Sequence, residues 1–494
     1  MENMLLQIKN ANKHFGASHV LKDVDFDIAK CEVHCLVGPN GCGKSTLIKI
    51  ISGVHQPDAG TEIWFENNLI QKMSSSESMN IGIQVIYQDL SVFPNLTVAE
   101  NIAFFFNVDK EKKNISKKLI YDTAKSVLAK MKVNLPLDEL VERLPIASRQ
   151  LVAIARALVT DARLIIMDEP TSSLTRAEVD VLFSVIRDLK KQAISIVFVS
   201  HKLNEIIEVA DRVTVVRDGV KIGTYLKQDI DYNRLMYLVS GQNLHFIKPN
   251  DVTTDEIVLK VDNLTRAGEY SEVSFDLRKG EVLGIYGALG AGRTELALSL
   301  FGMTKPETGS ILINGSKKVL KSNAQAISEG IAYVPEDRLL QGIVLEDSIC
   351  DNICISIIKK VCDKIGLLVK RVMHSLSEDW SSKLNIVASG TDAKLSTMSG
   401  GNQQKVVLAK WLATTPKVLI LDEPTNGVDV GAKSAIYEIV KEFASRGIAV
   451  ILISSEVPEI YNNCNRVLIM KNGRITNEFP TDQITEEELN EYVG

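Results

Sequence analysis

Short, uninterrupted apolar runs recur along this chain, separated by stretches of helical period. Val33–Val37 is one, and after a glycine-rich turn comes the helical pattern Leu47-Ile48-Lys49-Ile50-Ile51. Leu164–Met167 and Ser195–Ser200 are others, and Val282–Tyr286, Val418–Leu421 and Ala449–Ser454 repeat the arrangement in the rear half. Runs without polar alternation suit strands covered on both faces. Such strands alternating with helices predict an α/β fold built on mainly parallel sheets. From Asp89 to about Leu158 the pattern is mostly helical, interrupted by a lysine-rich piece, Lys110 to Lys118, that reads as a solvated face. The cluster Ser74-Ser75-Ser76-Glu77-Ser78 reads as a loop.

The chain is written twice. Gly38 to Ser45 aligns with Gly287-Ala288-Leu289-Gly290-Ala291-Gly292-Arg293-Thr294 at an offset of 249 residues. Gly82-Ile83 through Gln88-Asp89 aligns with Gly330-Ile331 through Glu336-Asp337 at an offset of 248. Leu164 to Thr171 aligns with Val418 to Thr425 at an offset of 254. A period near half the chain means two copies of one domain rather than a solenoid. The polar, proline-bearing stretch Ile247 to Asp255 reads as the join. The expected organisation is therefore a first domain over 1–245, a linker over 246–256 and a second domain over 257–494. Ile257–Val261 opens the second copy as Leu5–Ile8 opens the first.

Composition adds three limits. At 494 residues, length alone suggests about three domains, and the repeat reduces this to two copies. The net charge of −6 argues against a nucleic-acid partner, which calls for a basic surplus. No apolar run reaches the roughly 18 residues of a membrane span, and the first residues lack the pattern of a secretory leader. The expected location is the cytoplasm, with any membrane role supplied by partner subunits. Seven cysteines without a C-x-x-C pair suggest neither a disulfide framework nor a zinc site. Cys31/Cys35 and Cys350/Cys354 read as small apolar core residues. Cys42, beside Lys44 at a helix start, is expected to favour its thiolate and to be alkylated readily unless nucleotide protects it.

The chemistry centres on Gly38-Pro39-Asn40-Gly41-Cys42-Gly43-Lys44-Ser45-Thr46, a G-x-x-x-x-G-K-[ST] run with a strand before it and a helix after it. Glycines let the backbone wrap phosphates so that amide N–H groups and a helix N-terminus face the anion. Lys44 can reach the β- and γ-phosphates, and the Ser45 hydroxyl can ligate Mg²⁺. Asp168-Glu169, ending a strand, bring two carboxylates beside this loop. Asp168 is a candidate Mg²⁺ holder and Glu169 a candidate to polarise the attacking water. Gln88 is placed to touch both metal and water, and His201 to donate to the γ-phosphate.

These motifs in this order resemble the ATP-binding cassette family, across nearly the whole chain. The resemblance implies two P-loop ATPase cores, each with a helical subdomain, facing head to tail with ATP between the phosphate loop of one and the signature of the other. The signature stands in the second copy as Met398-Ser399-Gly400-Gly401-Asn402-Gln403-Gln404-Lys405. Ser399, Gly400, Gly401 and Gln403 are its implied ATP contacts. Phe15 is the implied adenine-stacking ring, with an ordinary core phenylalanine as the alternative. In the first copy Pro145, Ile146 and Ala147 replace the serine and both glycines. In the second, Arg293 stands for Lys44, Glu336 for Gln88 and Ser455 for His201, whereas Gly287, Gly290, Gly292, Thr294, Asp422 and Glu423 remain. Under the head-to-tail arrangement every loss falls on one composite site. One hydrolytic site and one degenerate nucleotide site are expected.

Within the family the fused pair is similar to the ATPase subunits of importers for ribose, galactose, xylose and related small polyols. The residues that carry this are Gly287–Leu296, Pro335-Glu336-Asp337-Arg338 and Asp422–Gly431. The altered first signature also occurs in importers resembling those for a furanosyl autoinducer or sugar alcohols. The resemblance implies two integral-membrane permease subunits docking near Leu90–Thr97 and Arg338–Val344, after Gln88 and Glu336, and a periplasmic or surface solute-binding protein acting indirectly. Val92-Phe93-Pro94 is a candidate anchor, with core packing as the alternative reading. The implied location is the cytoplasmic face of the membrane. A soluble twin-cassette ATPase acting on ribosomes or DNA is the other class; the short linker and negative charge speak against it.

Overall fold

The computed structural model describes residues 4–87, 89–108, 116–172, 174, 176–241, 249, 254–288, 290–428 and 430–492. They form two compact units, Met1–Asn243 and Leu244–Gly494. The expected linker, 246–256, lies largely outside the described residues, as does most of the Lys110 to Lys118 run.

The first unit contains β1 (Met4–Phe15), β2 (Ser18–Ala29), β3 (Val33–Val37), β4 (Glu62–Phe65), β5 (Asn68–Ile70), β6 (Ile83–Ile86), β7 (Leu164–Asp168), β8 (Ser195–Val199), β9 (Arg212–Arg217) and β10 (Val220–Leu226). An antiparallel sheet runs in the order β2-β1-β4-β5, and a second sheet runs β10-β9-β3-β8-β7-β6. In the second sheet β9, β3, β8, β7 and β6 are parallel and only β10 reverses. All residues of β3 and β8 are buried, which is why these runs carry no polar alternation. Parallel pairing sends the carboxyl ends of β3, β8, β7 and β6 to one edge, and ligands of open α/β sheets bind at that edge.

The second unit repeats the plan with β11 (Ile257–Arg266), β12 (Tyr270–Arg278), β13 (Val282–Tyr286), β14 (Thr308–Ile313), β15 (Ser316–Lys318), β16 (Ile331–Val334), β17 (Val418–Asp422), β18 (Ala449–Ser454), β19 (Arg466–Lys471) and β20 (Arg474–Pro480). Its sheets run β12-β11-β14-β15 and β16-β17-β18-β13-β19-β20. The order matches the first unit strand for strand.

Between β6 and β7 the chain forms the helices Val98–Val108, Lys117–Met131 and Ile146–Leu158, as the sequence pattern predicts. The serine cluster differs from expectation: Ser75–Asn80 is a helix, because the Ser74 hydroxyl accepts the Glu77 N–H and caps it. Ser74 three residues before Glu77 is the start signal that reading the cluster as a loop overlooked. Among the described residues no helix is long and apolar enough to cross a membrane.

Candidate active site

In the first unit the phosphate loop joins β3 to the helix Lys44–Ile51. Gly43 precedes that helix at φ +104°, and a Cβ there would come within 2.6 Å of Leu21. At Gly38 a Cβ would come within 2.0 Å of the Val216 carbonyl oxygen, so β2 and β9 press the loop from behind. Lys44 is buried and its Nζ donates to the carbonyls of Gly38 (2.7 Å) and Pro39 (2.9 Å). Asn40, Gly41 and Ser45 are exposed and Thr46 is half-buried, so the cup presents backbone and hydroxyl outward.

Two strands along from β3, beyond β8, Asp168 ends β7, and Glu169 turns with φ +49° while its N–H donates to Val199 O at 2.9 Å. That turn aims Glu169 at His201, whose Nδ1 lies 3.1 Å from Glu169 Oε1. The His201 contact draws the Glu169 carboxyl below its ordinary value, against the opposing effect of burial. Asp168 moves the other way: burial and then the Glu169 charge push it up, with Lys44 partly offsetting them. Two adjacent carboxylates are thus held apart in protonation behaviour. Gln88 lies outside the described residues.

Two expectations change here. Cys42 is buried, and burial raises its thiol in spite of Lys44. Its thiolate is disfavoured, contrary to the reactivity the helix start suggested. Cys31 is exposed rather than a core residue. Maleimide on the free protein is expected to label Cys31 well before Cys42; peptide mass spectrometry over a time course checks the order, and simultaneous labelling would contradict it. Phe15, at the end of β1, is 44% exposed, which removes the core-phenylalanine alternative. Its ring meets His55 edge-on at 5.3 Å between centroids, with Lys13 Nζ 5.3 Å from its centre.

The two signatures fold alike but present different surfaces. Ser399 starts the helix Gly400–Leu412 and Pro145 starts the helix Ile146–Leu158. Ser399 is exposed and its Oγ accepts from Asn402 Nδ2 at 3.1 Å, whereas Ile146 turns an apolar side chain outward. Gln403 does not fit its expected role as an ATP contact. It is buried, donates to the carbonyls of Leu395 and Met398, and accepts from Arg338 Nε, so it shapes the turn behind Ser399.

Arg338 is likewise an internal brace. Its guanidinium donates to the carbonyls of Asn426 (2.7 Å) and Gly427 (3.2 Å), and a Cβ on Gly400 would meet it at 2.7 Å. Reversing its charge would break these ties, so it is a poor probe of a docking surface. The outward apolar groups of that loop are Leu339, Leu340 and Val344. In the first unit Phe93 packs on Phe104 with ring centroids 4.6 Å apart, which favours its core-packing reading.

The second unit holds its acids differently. Gly290 and Gly292 take φ +79° and +94°, and a Cβ on Gly287 would meet the Met470 carbonyl at 2.4 Å, so the loop is built as in the first unit. Arg293, however, is buried and places Nη1 3.2 Å from Glu423 Oε1. The contact is coulombic, since that N–H has no aligned hydrogen-bond acceptor. Glu423 keeps the φ +42° turn and the bond to Ile453 O. Burial pushes its carboxyl up to about 7, with Arg293 and the Ser455 hydroxyl pulling down. Asp422 is fully buried (0% exposed), accepts from Tyr333 OH at 3.0 Å, and burial pushes it up to about 6 against the pull of Thr294 and Tyr333. Glu336 is half-buried, its Oε1 3.4 Å from Asn426 Nδ2.

Sequence reasoning missed a buried glutamate in each unit. Glu205 accepts from Thr171 Oγ1 and Ser200 Oγ and pairs with Lys202 at 3.3 Å. Glu459 accepts from Thr425 (2.6 Å), Tyr437 (2.6 Å) and Ser454 (2.7 Å) and pairs with Lys433 at 3.0 Å. Each ties the turn after the acid pair to the strand that carries His201 or Ser455. The signal was available: Thr171/Glu205 and Thr425/Glu459 recur at the 254-residue offset.

Each unit thus has a glycine cup on a helix start with a carboxylate pair at the end of a parallel strand two along, the build of a P-loop nucleoside triphosphatase. Residues 21–172 and again 270–426 match the model of the ABC transporter family, and the chain belongs to that family, as two ATPase cassettes in tandem. Relatives include the ribose import ATP-binding protein RbsA of Halalkalibacterium halodurans, 39% identical over 99% of this chain and 98% of that one. The ribose import ATP-binding protein RbsA 2 of Rhizobium etli is 40% identical over 99% of this chain and 96% of that one. A solved ATP-binding cassette of an ABC transporter in its ADP conformation is 25% identical, covers 48% of this chain and 99% of its own, and has a TM-score of 0.44. These relatives do not favour the ribosomal or DNA-repair class.

Proposed function

We propose that this chain is the ATP-hydrolysing subunit of a membrane importer for ribose or a related small sugar, with one working ATP site. The observation that carries the reading is the set Lys44, Asp168, Glu169 and His201 at one sheet edge, on a chain similar from end to end to ribose import ATP-binding proteins. Lys44 and the loop amides would bind the phosphates. The Ser45 hydroxyl and the Asp168 carboxylate form an all-oxygen donor set that suits Mg²⁺, which supplies charge neutralisation at the transferred phosphoryl group. Glu169, kept ionised by its geometry with His201, is the group to orient the attacking water. Ser399-Gly400-Gly401 of the second unit would complete this site, and Pro145-Ile146-Ala147 the degenerate one.

The test is ATP turnover by the chain assembled with its permease in proteoliposomes, with ribose-loaded binding protein on the outer side. Ribose-dependent turnover with matching uptake is expected; turnover indifferent to every small sugar would overturn the substrate class. The composite arrangement has its own check. Cysteines at Asn40 and Ser399, both exposed, are expected to cross-link through a short bifunctional reagent only when ATP is bound. Failure to cross-link in any nucleotide state would overturn it.

The loops after Gln88 and Glu336 are the proposed permease contacts. Leu340→Glu is expected to lower transport at least tenfold while ATPase of the free subunit is retained, because the substitution puts a carboxylate into an apolar contact and the braces of Arg338 stay intact. Unchanged transport would remove this loop from the interface.

A further inference from the structure

Six large apolar side chains are exposed within one short segment of the second unit: Ile355, Ile358, Ile365, Leu367, Leu368 and Val372. Ile365 and Leu367 stand out furthest, at 80 and 62% exposure, and Leu368 beside them is 51% exposed. Single exposed apolar residues need no explanation, but a group this concentrated marks a contact surface.

The segment is a built hairpin. Cys362 and Leu368 form an antiparallel bridge, and the Asp363 N–H donates to Leu367 O at 2.8 Å. Val369 N–H donates to Val361 O at 2.9 Å, and Gly366 turns the tip at φ +85°. The Asp363 carboxylate accepts the N–H groups of Ile365 and Leu367, both at 2.9 Å, so its charge points into the turn. Asp363 is the one acidic residue between positions 352 and 377. Lys364 stands in the turn itself, and Lys359, Lys360, Lys370 and Arg371 flank the base of the hairpin, all exposed, with Lys360 Nζ donating to the Ala413 carbonyl, on a chain whose net charge is −6.

We propose that this hairpin is a lipid-contact tip: Ile365, Leu367 and Leu368 enter the headgroup region of a bilayer while the surrounding lysines and Arg371 pair with anionic headgroups. Charge selects the occupant. Lysine is depleted where one protein docks on another, whereas basic side chains around exposed apolar groups match an anionic membrane surface. Long lysine stems can cover apolar surface while their ammonium groups stay at headgroup level. The contact would be additional to the permease, and independent of which solute is moved.

Flotation of the purified full-length chain, without permease, tests this. The vesicles are phosphatidylcholine alone, or phosphatidylcholine with phosphatidylglycerol. The chain is expected to float with the anionic vesicles, less so as salt rises, and not with the neutral ones. Lys364→Ala should lower partitioning about fivefold, and Leu367→Glu should abolish it, with circular dichroism and basal ATPase unchanged because both side chains are exposed. No flotation on anionic vesicles at low salt, or flotation of Leu367→Glu equal to the parent, would overturn the proposal. Loss of permease assembly in Leu367→Glu, from a parent chain that ignores vesicles, would overturn it in favour of a protein contact.

Discussion

Glu169→Gln is expected to lower steady-state ATPase of the assembled transporter by about 10²- to 10⁴-fold, the span associated with losing a positioned general base, and Glu423→Gln by far less. The same residue type ends the same strand in both units, so sequence alone gives the two substitutions equal standing. The surroundings separate them. Glu169 is held below its ordinary pKa by His201, so at neutral pH it is an acceptor ready to hold water. Glu423 lies against Arg293 with its carboxyl pushed up to about 7, and its neighbour Asp422 is sealed under Tyr333. An acid already committed to an internal cation has little left to offer a water. Lys44→Ala should match Glu169→Gln in turnover, since it removes the cation that reaches the phosphates. Equal losses from Glu169→Gln and Glu423→Gln would sink the one-site account.

What could be read from the sequence was whatever depends on spacing. The glycine cup, the acid pair and the parallel strands follow from short-range pattern, because close backbone approach and two-sided burial leave few residue choices. The repeat then exposed each departure of one copy from the other. Illegible were the long-range contacts made by side chains with several plausible uses. Gln403 looked like a ligand contact and instead holds a turn. Arg338 looked like part of a docking loop and is an internal brace. Cys42 looked activated by its helix start, and burial outweighs that. Tyr333 stands where the first copy has Val85, and only the fold reveals that its hydroxyl reaches Asp422.

Arg293 shows why the degenerate site cannot be probed as simply as the working one. Arg293→Met should destabilise the second unit by about 1–1.5 kcal/mol at pH 8, because the buried carboxyl left without its counter-charge takes up a proton, and doing so one pH unit above a folded pKa of about 7 costs about that much. For a unit of this size that is a fall of roughly 2–6 °C in its melting transition. The sign of the pH dependence follows from Glu423. Its folded pKa, about 7, is already above the ordinary carboxyl value of 4.5, and losing Arg293 raises it further. A raised carboxyl favours the folded state while it is protonated and loses that contribution as pH climbs through the folded pKa. The Arg293→Met penalty should therefore be small at pH 6 and large at pH 8. Glu423→Gln removes the buried charge, so the double variant should recover most of the loss, with a coupling energy of about 1 kcal/mol at pH 8 in the mutant cycle. Calorimetry of the four proteins at both pH values decides it. Should the two substitutions add independently, or the Arg293→Met loss ignore pH, the buried pair is not what holds this acid in place.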